Sequence, residues 1–289
     1  MVKNFGEEGT GMDLNWYQSL LYGLISGVTE ILPVSSQAHR ILLLDIFGRS
    51  SQPELLRLMT DLGIVAALYY ACQNHIIRIL RARRLARVPK RHRKRPLDTT
   101  SLLDMRLITT MLIPVILSLF LYQKAQSLSG SKLMLATFML LNGVILYIPQ
   151  FFRGANRDSR SMSGLHGLLI GLGGSVGIVP GMSGVAGAYS VSSLCGVDKT
   201  YGLNIVLLMD MVACAGLAVF DLLGLVSAGM GGIAFGTVML YILSGIVSFL
   251  STSITVKLLR NIIGEISFDI FAYYCWGVAL FTFIMNLLA

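Results

Sequence analysis

Residues 22–40 read YGLISGVTEILPVSSQAHR, and this run decides the fold. Its first half is apolar enough to lie at membrane depth, but Pro33 and the small polar residues behind it interrupt any continuous helix. The wider stretch 16–47 is therefore expected to run helix, break, helix, as a re-entrant hairpin. Broken backbone at that depth is tolerated only where it is buried in protein or lines a watery cavity, because each unmet peptide group in lipid is costly. A second stretch, 163–197, is apolar and interrupted by Gly, Pro and Ser in the same way.

The rest of the chain agrees with a membrane setting. Of 289 residues, 54% are hydrophobic and 13% charged, too little polar surface to coat a soluble globule of that length. Six stretches, at 56–77, 102–122, 132–151, 201–223, 232–256 and 268–288, reach the roughly 20 apolar residues that cross a bilayer. The expected fold is an all-α polytopic membrane protein, with these six spanning helices and two re-entrant helical hairpins in a single domain over 1–289. No cleavable signal peptide is expected, since the first fifteen residues are polar and mildly acidic. Cys72, Cys195, Cys214 and Cys275 stand singly in apolar segments without metal-ligand spacing and read as small packing residues.

The net charge of +8 has one source: residues 78–95, RILRARRLARVPKRHRKR, hold ten Lys or Arg, while elsewhere 13 basic residues face 15 acidic ones. A basic run directly after a spanning helix marks a cytoplasmic loop attracted to anionic headgroups, so membrane lipids and not nucleic acid are the expected partners. The remaining loops alternate accordingly: 152–162 carries Arg153, Arg157 and Arg160 against Asp158, and 257–265 carries Lys257 and Arg260, whereas 224–231 has no charge. With this orientation the two broken segments enter from opposite faces. Gly23-Leu24 leads to Leu32-Pro33-Val34-Ser35-Ser36 much as Gly171-Leu172 leads to Val179-Pro180-Gly181-Met182-Ser183, an echo that divides the chain into inverted halves of roughly 14–151 and 163–289. Such a repeat of discontinuous helices is a pointer to a binding site near the bilayer midplane, where the two breaks should meet.

Thr29, Glu30, Ser35, Ser36, Gln37, His39 and Arg40 crowd the first break. Ionisable groups at that depth line cavities or pair with one another. A helix restarting after Pro33 would turn free N–H groups near Ser35 and Ser36 toward an anion, with phosphate the obvious candidate.

The run GVTEILPVSSQAH at 27–39 resembles the first signature of the undecaprenyl-diphosphate phosphatase (bacitracin-resistance) family. VPGMS at 179–183 and FAYYCWG at 271–277 support the likeness, as does the spacing of apolar segments over nearly the whole chain. The resemblance implies an enzyme of the bacterial cell membrane that removes the terminal phosphate from a C55 isoprenoid diphosphate, recycling a cell-wall lipid carrier. Its site would open toward the outer face, and a divalent cation, Mg²⁺ or Ca²⁺, would assist. On that likeness Glu30 holds metal or moves protons, His39 is nucleophile or general acid/base, and Ser36 acts beside it. Ser35, Ser36 and Ser183 would then contact phosphate.

Two positions depart from the family pattern: Ser26 stands where a second Glu is expected, and Gly184 where an Arg is expected, followed by Val185-Ala186. Arg40 is the one visible substitute for the missing guanidinium, if its side chain turns toward the phosphate and does not extend to the headgroups. Asp61 and Asp210 are either cavity-facing ion or proton sites or buried carboxyls held by neighbouring helices. His75 and His92 read as solvated groups and His166 as an interface residue. Alternatives to hydrolysis are a polyprenyl-phosphate binder or flippase of the same fold and, behind it, a small-solute transporter. Thirty glycines predict close helix contacts, within one chain or between the copies of a homodimer.

Overall fold

In the computed structural model, residues 14–49, 52–92, 96–151, 157–158, 160–228, 234–265 and 267–288 are described. Arg153, the last three residues of the basic run (93–95) and the amino-terminal stretch 1–13 lie outside them. Eleven α-helices make up the described chain: α1 (Trp16–Ile31), α2 (Ser36–Ile46), α3 (Glu54–Ala86), α4 (Thr99–Leu119), α5 (Tyr122–Gln126), α6 (Lys132–Tyr147), α7 (Gly164–Ser175), α8 (Gly184–Leu194), α9 (Lys199–Ala228), α10 (Phe235–Ile262) and α11 (Asp269–Leu288). Six of them are long and apolar enough to cross a membrane, within α3, α4, α6, α9, α10 and α11. The protein is an all-α, multi-pass membrane protein. Its outward surface agrees: Leu117, Phe120, Val226 and Phe235 are each at least 60% exposed, which suits a lipid surround and not water.

The two interrupted segments fold as pairs of short helices. At 1.5 Å per residue α1 is about 24 Å long and α2, α7 and α8 about 16–18 Å, so none of the four covers the roughly 30 Å of hydrocarbon by itself. α1 packs on α10 and α2, while α7 packs on α4 and α8; α3 and α9 run side by side through the middle, and α6 pairs with α11. Close approach comes from small residues. Ser244 Oγ donates to the Ser19 carbonyl at 2.6 Å and Thr252 Oγ1 to that of Gly27 at 3.2 Å, so α10 meets α1 through hydroxyls and glycines.

The basic run is not wholly a loop. α3 continues to Ala86 and is about 50 Å long, so residues 78–86 form two further helical turns beyond the length a bilayer core needs. Arg, Leu and Ala favour helix strongly enough to prolong the span past its apolar part. His75 also differs from expectation: its Nε2 lies 3.2 Å from Asp104 Oδ2, and the Tyr201 hydroxyl donates to the other oxygen of that carboxylate at 2.8 Å.

Candidate functional site

Local rules dictate the first break. Pro33 ends α1, and Ser35 caps α2 by accepting a hydrogen bond from the Ala38 amide at 3.4 Å. Ser35 has φ 65° and ψ 91° and is the sole non-glycine with positive φ among the described residues. A serine held there stores strain of about 1–3 kcal/mol, a feature that concentrates at functional sites. The His39 ring bridges away from the turn: Nδ1 lies 2.8 Å from the Ser35 carbonyl and Nε2 2.8 Å from the Tyr274 hydroxyl, with the two rings stacked. Both ring nitrogens are thus engaged in holding the strained turn against α11.

The second break passes through Pro180 and through Gly181, whose φ of 99° is open only to glycine. Ser183 then caps α8, accepting from the Ala186 amide at 3.2 Å. The two breaks meet, as expected of interrupted backbone in a membrane. Asn142 of α6 donates to the Pro33 carbonyl at 3.0 Å and accepts from the Ser183 amide at 2.9 Å. Gln37 adds a second bridge, donating to the Gly177 carbonyl at 3.0 Å. Asn142 was not singled out in the sequence, because an amide inside an apolar span carries no motif.

Between the breaks lies a cavity of about 60 Å³. Glu30, Ser36, Arg40 and Ser183 line it, as do Asp61, Asp210, Cys214 and Arg57; Ser35 and His39 do not. The fate of Arg40 is settled: it is 4% exposed and does not reach toward headgroups. Its Nη1 lies 2.7 Å from Asp61 Oδ1 and its Nη2 3.5 Å from Glu30 Oε2, with the guanidinium carbon 5.9 Å from the centre of the Tyr22 ring. Nε and Nη2 make no hydrogen bond, and neither does the buried Ser36 hydroxyl or Asp210 Oδ2. Buried donors and acceptors are seldom left unmatched, so four such atoms around one cavity make it a space able to pair with polar occupants, water or ligand. α2 and α8 both begin at this cavity, so their N-terminal dipole ends converge on it and favour an anion.

Besides Asn142, two residues escaped the sequence reading. Arg57, one turn before Asp61 on α3, lines the cavity and pairs with Asp221 of α9 through Nε–Oδ2 at 2.7 Å and a second contact between Nη2 and Oδ1. Cys214, read as a packing residue, places its thiol 3.4 Å from Glu30 Oε1 as donor. Helical spacing was the available signal: Arg57 and Asp61, like Asp210 and Cys214, stand four residues apart on one face. Ser26, by contrast, is fully buried and absent from the cavity wall. Gly184 lies at the wall with no room for a side chain, since a Cβ there would meet the Gly174 carbonyl oxygen at 2.9 Å.

Fold and site together define a multi-pass membrane protein with a buried, charged cavity where two interrupted helices meet. The sequence pattern of the family described as bacitracin resistance protein BacA matches residues 19–281, and the chain belongs to that family. Similar proteins named undecaprenyl-diphosphatase include those of Methanobrevibacter smithii, 26% identical over 273 residues with 92% of this chain and 96% of the relative covered, and of Alkaliphilus metalliredigens, 25% identical over 283 residues with 94% and 99% covered. That of Carboxydothermus hydrogenoformans is 25% identical over 265 residues, covering 91% and 94%.

Proposed function

We propose that this protein hydrolyses undecaprenyl diphosphate to undecaprenyl phosphate and inorganic phosphate. The observation that carries the reading is Arg40: a buried guanidinium with two nitrogens free of hydrogen bonds, facing a cavity at two helix N-termini. Phosphoryl transfer asks chiefly for positioning and for charge set against the equatorial oxygens, and that is what Arg40 and the helix ends offer. The Ser36 hydroxyl has no competing partner, and the Ser183 oxygen accepts from Ala186, leaving its hydrogen to donate outward. Glu30, 19% exposed, is the cavity carboxylate best placed to take a proton from attacking water as the bond to the bridging oxygen breaks. Val115, Leu119, Met182 and Leu217 supply the apolar part of the wall.

The donor set fits a divalent cation, because Asp210 Oδ2 is buried, unmatched and in the same cavity as Glu30. Bound there, the ion would supply positive charge to phosphate oxygens. His39 holds the Ser35 turn in this reading and does not attack phosphorus. The cavity takes its α3 residues from the first turns of that helix and its α4 residues from the last, the end opposite to the basic turns. If the basic turns mark the cytoplasm, the site opens outward.

One observation favours the second reading, a polyprenyl-phosphate binder that does not hydrolyse: the position aligned with the family's Arg is used for helix packing at Gly184. Phosphate release from C55 diphosphate by purified protein in detergent separates the two. Release that falls by about 10²-fold or more in Glu30→Gln supports hydrolysis; lipid binding with no release by the unaltered protein assigns it to the binders.

A further inference from the structure

We propose that Glu30, Asp210 and Cys214 form a three-ligand site for a thiophilic divalent metal ion of the zinc class, its open position facing the cavity. The argument starts from charge. Arg57 is matched by Asp221, so Arg40 alone faces the carboxylates of Glu30, Asp61 and Asp210, and it is in contact with only the first two. The other titratable groups near them, Tyr22 of α1 and Tyr122 of α5, bring no positive charge. This excess of carboxylate in a secluded cavity calls for a compensating cation.

Geometry says where it sits. One ligand atom each from Glu30, Asp210 and Cys214 lie within 4.8 Å of one another. Tetrahedral zinc with oxygen at about 2.1 Å and sulfur at about 2.3 Å sets those two atoms roughly 3.6 Å apart. Cys214 Sγ and Glu30 Oε1 are already 3.4 Å apart. Asp210 and Cys214 occupy successive turns of one face of α9, both at most 4% exposed, so the helix presents two ligands as a rigid pair. Independent of this cluster, the Ser36 hydroxyl, 7% exposed and unmatched, lines the same cavity, so the space is built for a polar occupant.

Donor chemistry chooses among ions. Mg²⁺ and Ca²⁺ want six or more oxygens, whereas two carboxylates and a thiolate suit a borderline-soft ion that accepts four ligands. Binding releases the Cys214 proton to solvent and leaves the fourth position for a ligand oxygen. Only the identity of that oxygen, a phosphate, rests on the phosphatase reading; metal capture does not.

The test is a Co²⁺ titration of the full-length protein in detergent, followed by absorption. The expected result is a thiolate-to-cobalt charge-transfer band with the ligand-field bands of four-coordination, displaced by Zn²⁺ and not by Mg²⁺. Cys214→Ser removes the charge-transfer band, while Cys72→Ser, Cys195→Ser and Cys275→Ser keep it. Asp210→Asn weakens binding by about 10²-fold or more, beyond the 10–100-fold range of outer-shell changes. Absence of the band in the unaltered protein overturns the proposal whatever the variants do, as does its survival in Cys214→Ser. Metal capture without phosphate release defeats the hydrolase reading alone; chelator-insensitive release with no cobalt band defeats this one alone.

Discussion

The two helix breaks use the same device for opposite ends. The first, Leu32 to Ser36, is crowded with polar side chains and supplies Ser36 directly, with Glu30 just before it and Arg40 one turn beyond. The second, Val179 to Ser183, supplies one hydroxyl; the glycines around it serve packing, since a Cβ on Gly187 would overlap the Gly173 carbonyl and one on Gly177 would come within 2.7 Å of the Gly184 nitrogen. On the proposed function one break carries most of the chemistry, while the glycines of the other bring α7 and α8 close. A substitution in the first should show in turnover, and one in the second in stability.

The sharpest way to break that contrast is Arg40→Ala. It strips the counter-charge from the buried Asp61 and the partly exposed Glu30 and the donor from phosphate, so phosphate release should fall by about 10²–10³-fold and stability by roughly 3–5 kcal/mol, most of it from Asp61. Thermal unfolding in detergent beside the release assay measures both, and a fully active variant would remove Arg40 from the site. Asn142→Ala comes next. It leaves the Pro33 carbonyl and the Ser183 amide without their shared partner, and at about 1–3 kcal/mol for each buried group it should cost roughly 2–4 kcal/mol. Loss of turnover should track loss of folded protein; turnover lost at unchanged stability would make Asn142 a participant in the chemistry.

Gly187→Ala should lower stability by about 1–3 kcal/mol through overpacking, with turnover per folded molecule nearly unchanged. If instead its turnover collapses while its unfolding temperature holds, the scaffold role of the second break is wrong. Ser35→Gly should have the smallest effect. Relief of the positive φ offsets the lost cap, so unfolding should shift by less than about 1 kcal/mol. Loss of activity at unchanged stability in that variant would return Ser35 to the phosphate-binding set.

The fold was largely legible because its signals are long and periodic: six apolar stretches correspond to six long helices within several residues, and Pro33 and Pro180 mark both breaks. The end of α3 was not, since hydropathy reports where a helix leaves lipid and says nothing of where its hydrogen bonding stops. Within the site, Glu30, Ser36 and Arg40 were found from motif density and Ser183 from the family likeness, and all four line one cavity. His39 shares their motif but turns to Tyr274; it is the immediate neighbour of Arg40 on α2, and consecutive helical side chains point about 100° apart. Arg57, Asn142 and Cys214 were missed for a common reason. Each lies on a different helix from the motif, and only packing of α3, α6 and α9 around the breaks brings them in.

Asn142 also limits how the molecule can move. With one end of its amide on the Pro33 carbonyl and the other on the Ser183 amide, it is a crossbar between two chain interruptions that would otherwise be the natural hinges. Neither short-helix pair can swing alone without rupturing that crossbar in a medium that offers no water in exchange. The crossbar therefore sets a cost, about 1 kcal/mol for each of its two hydrogen bonds, against opening the cavity at either break.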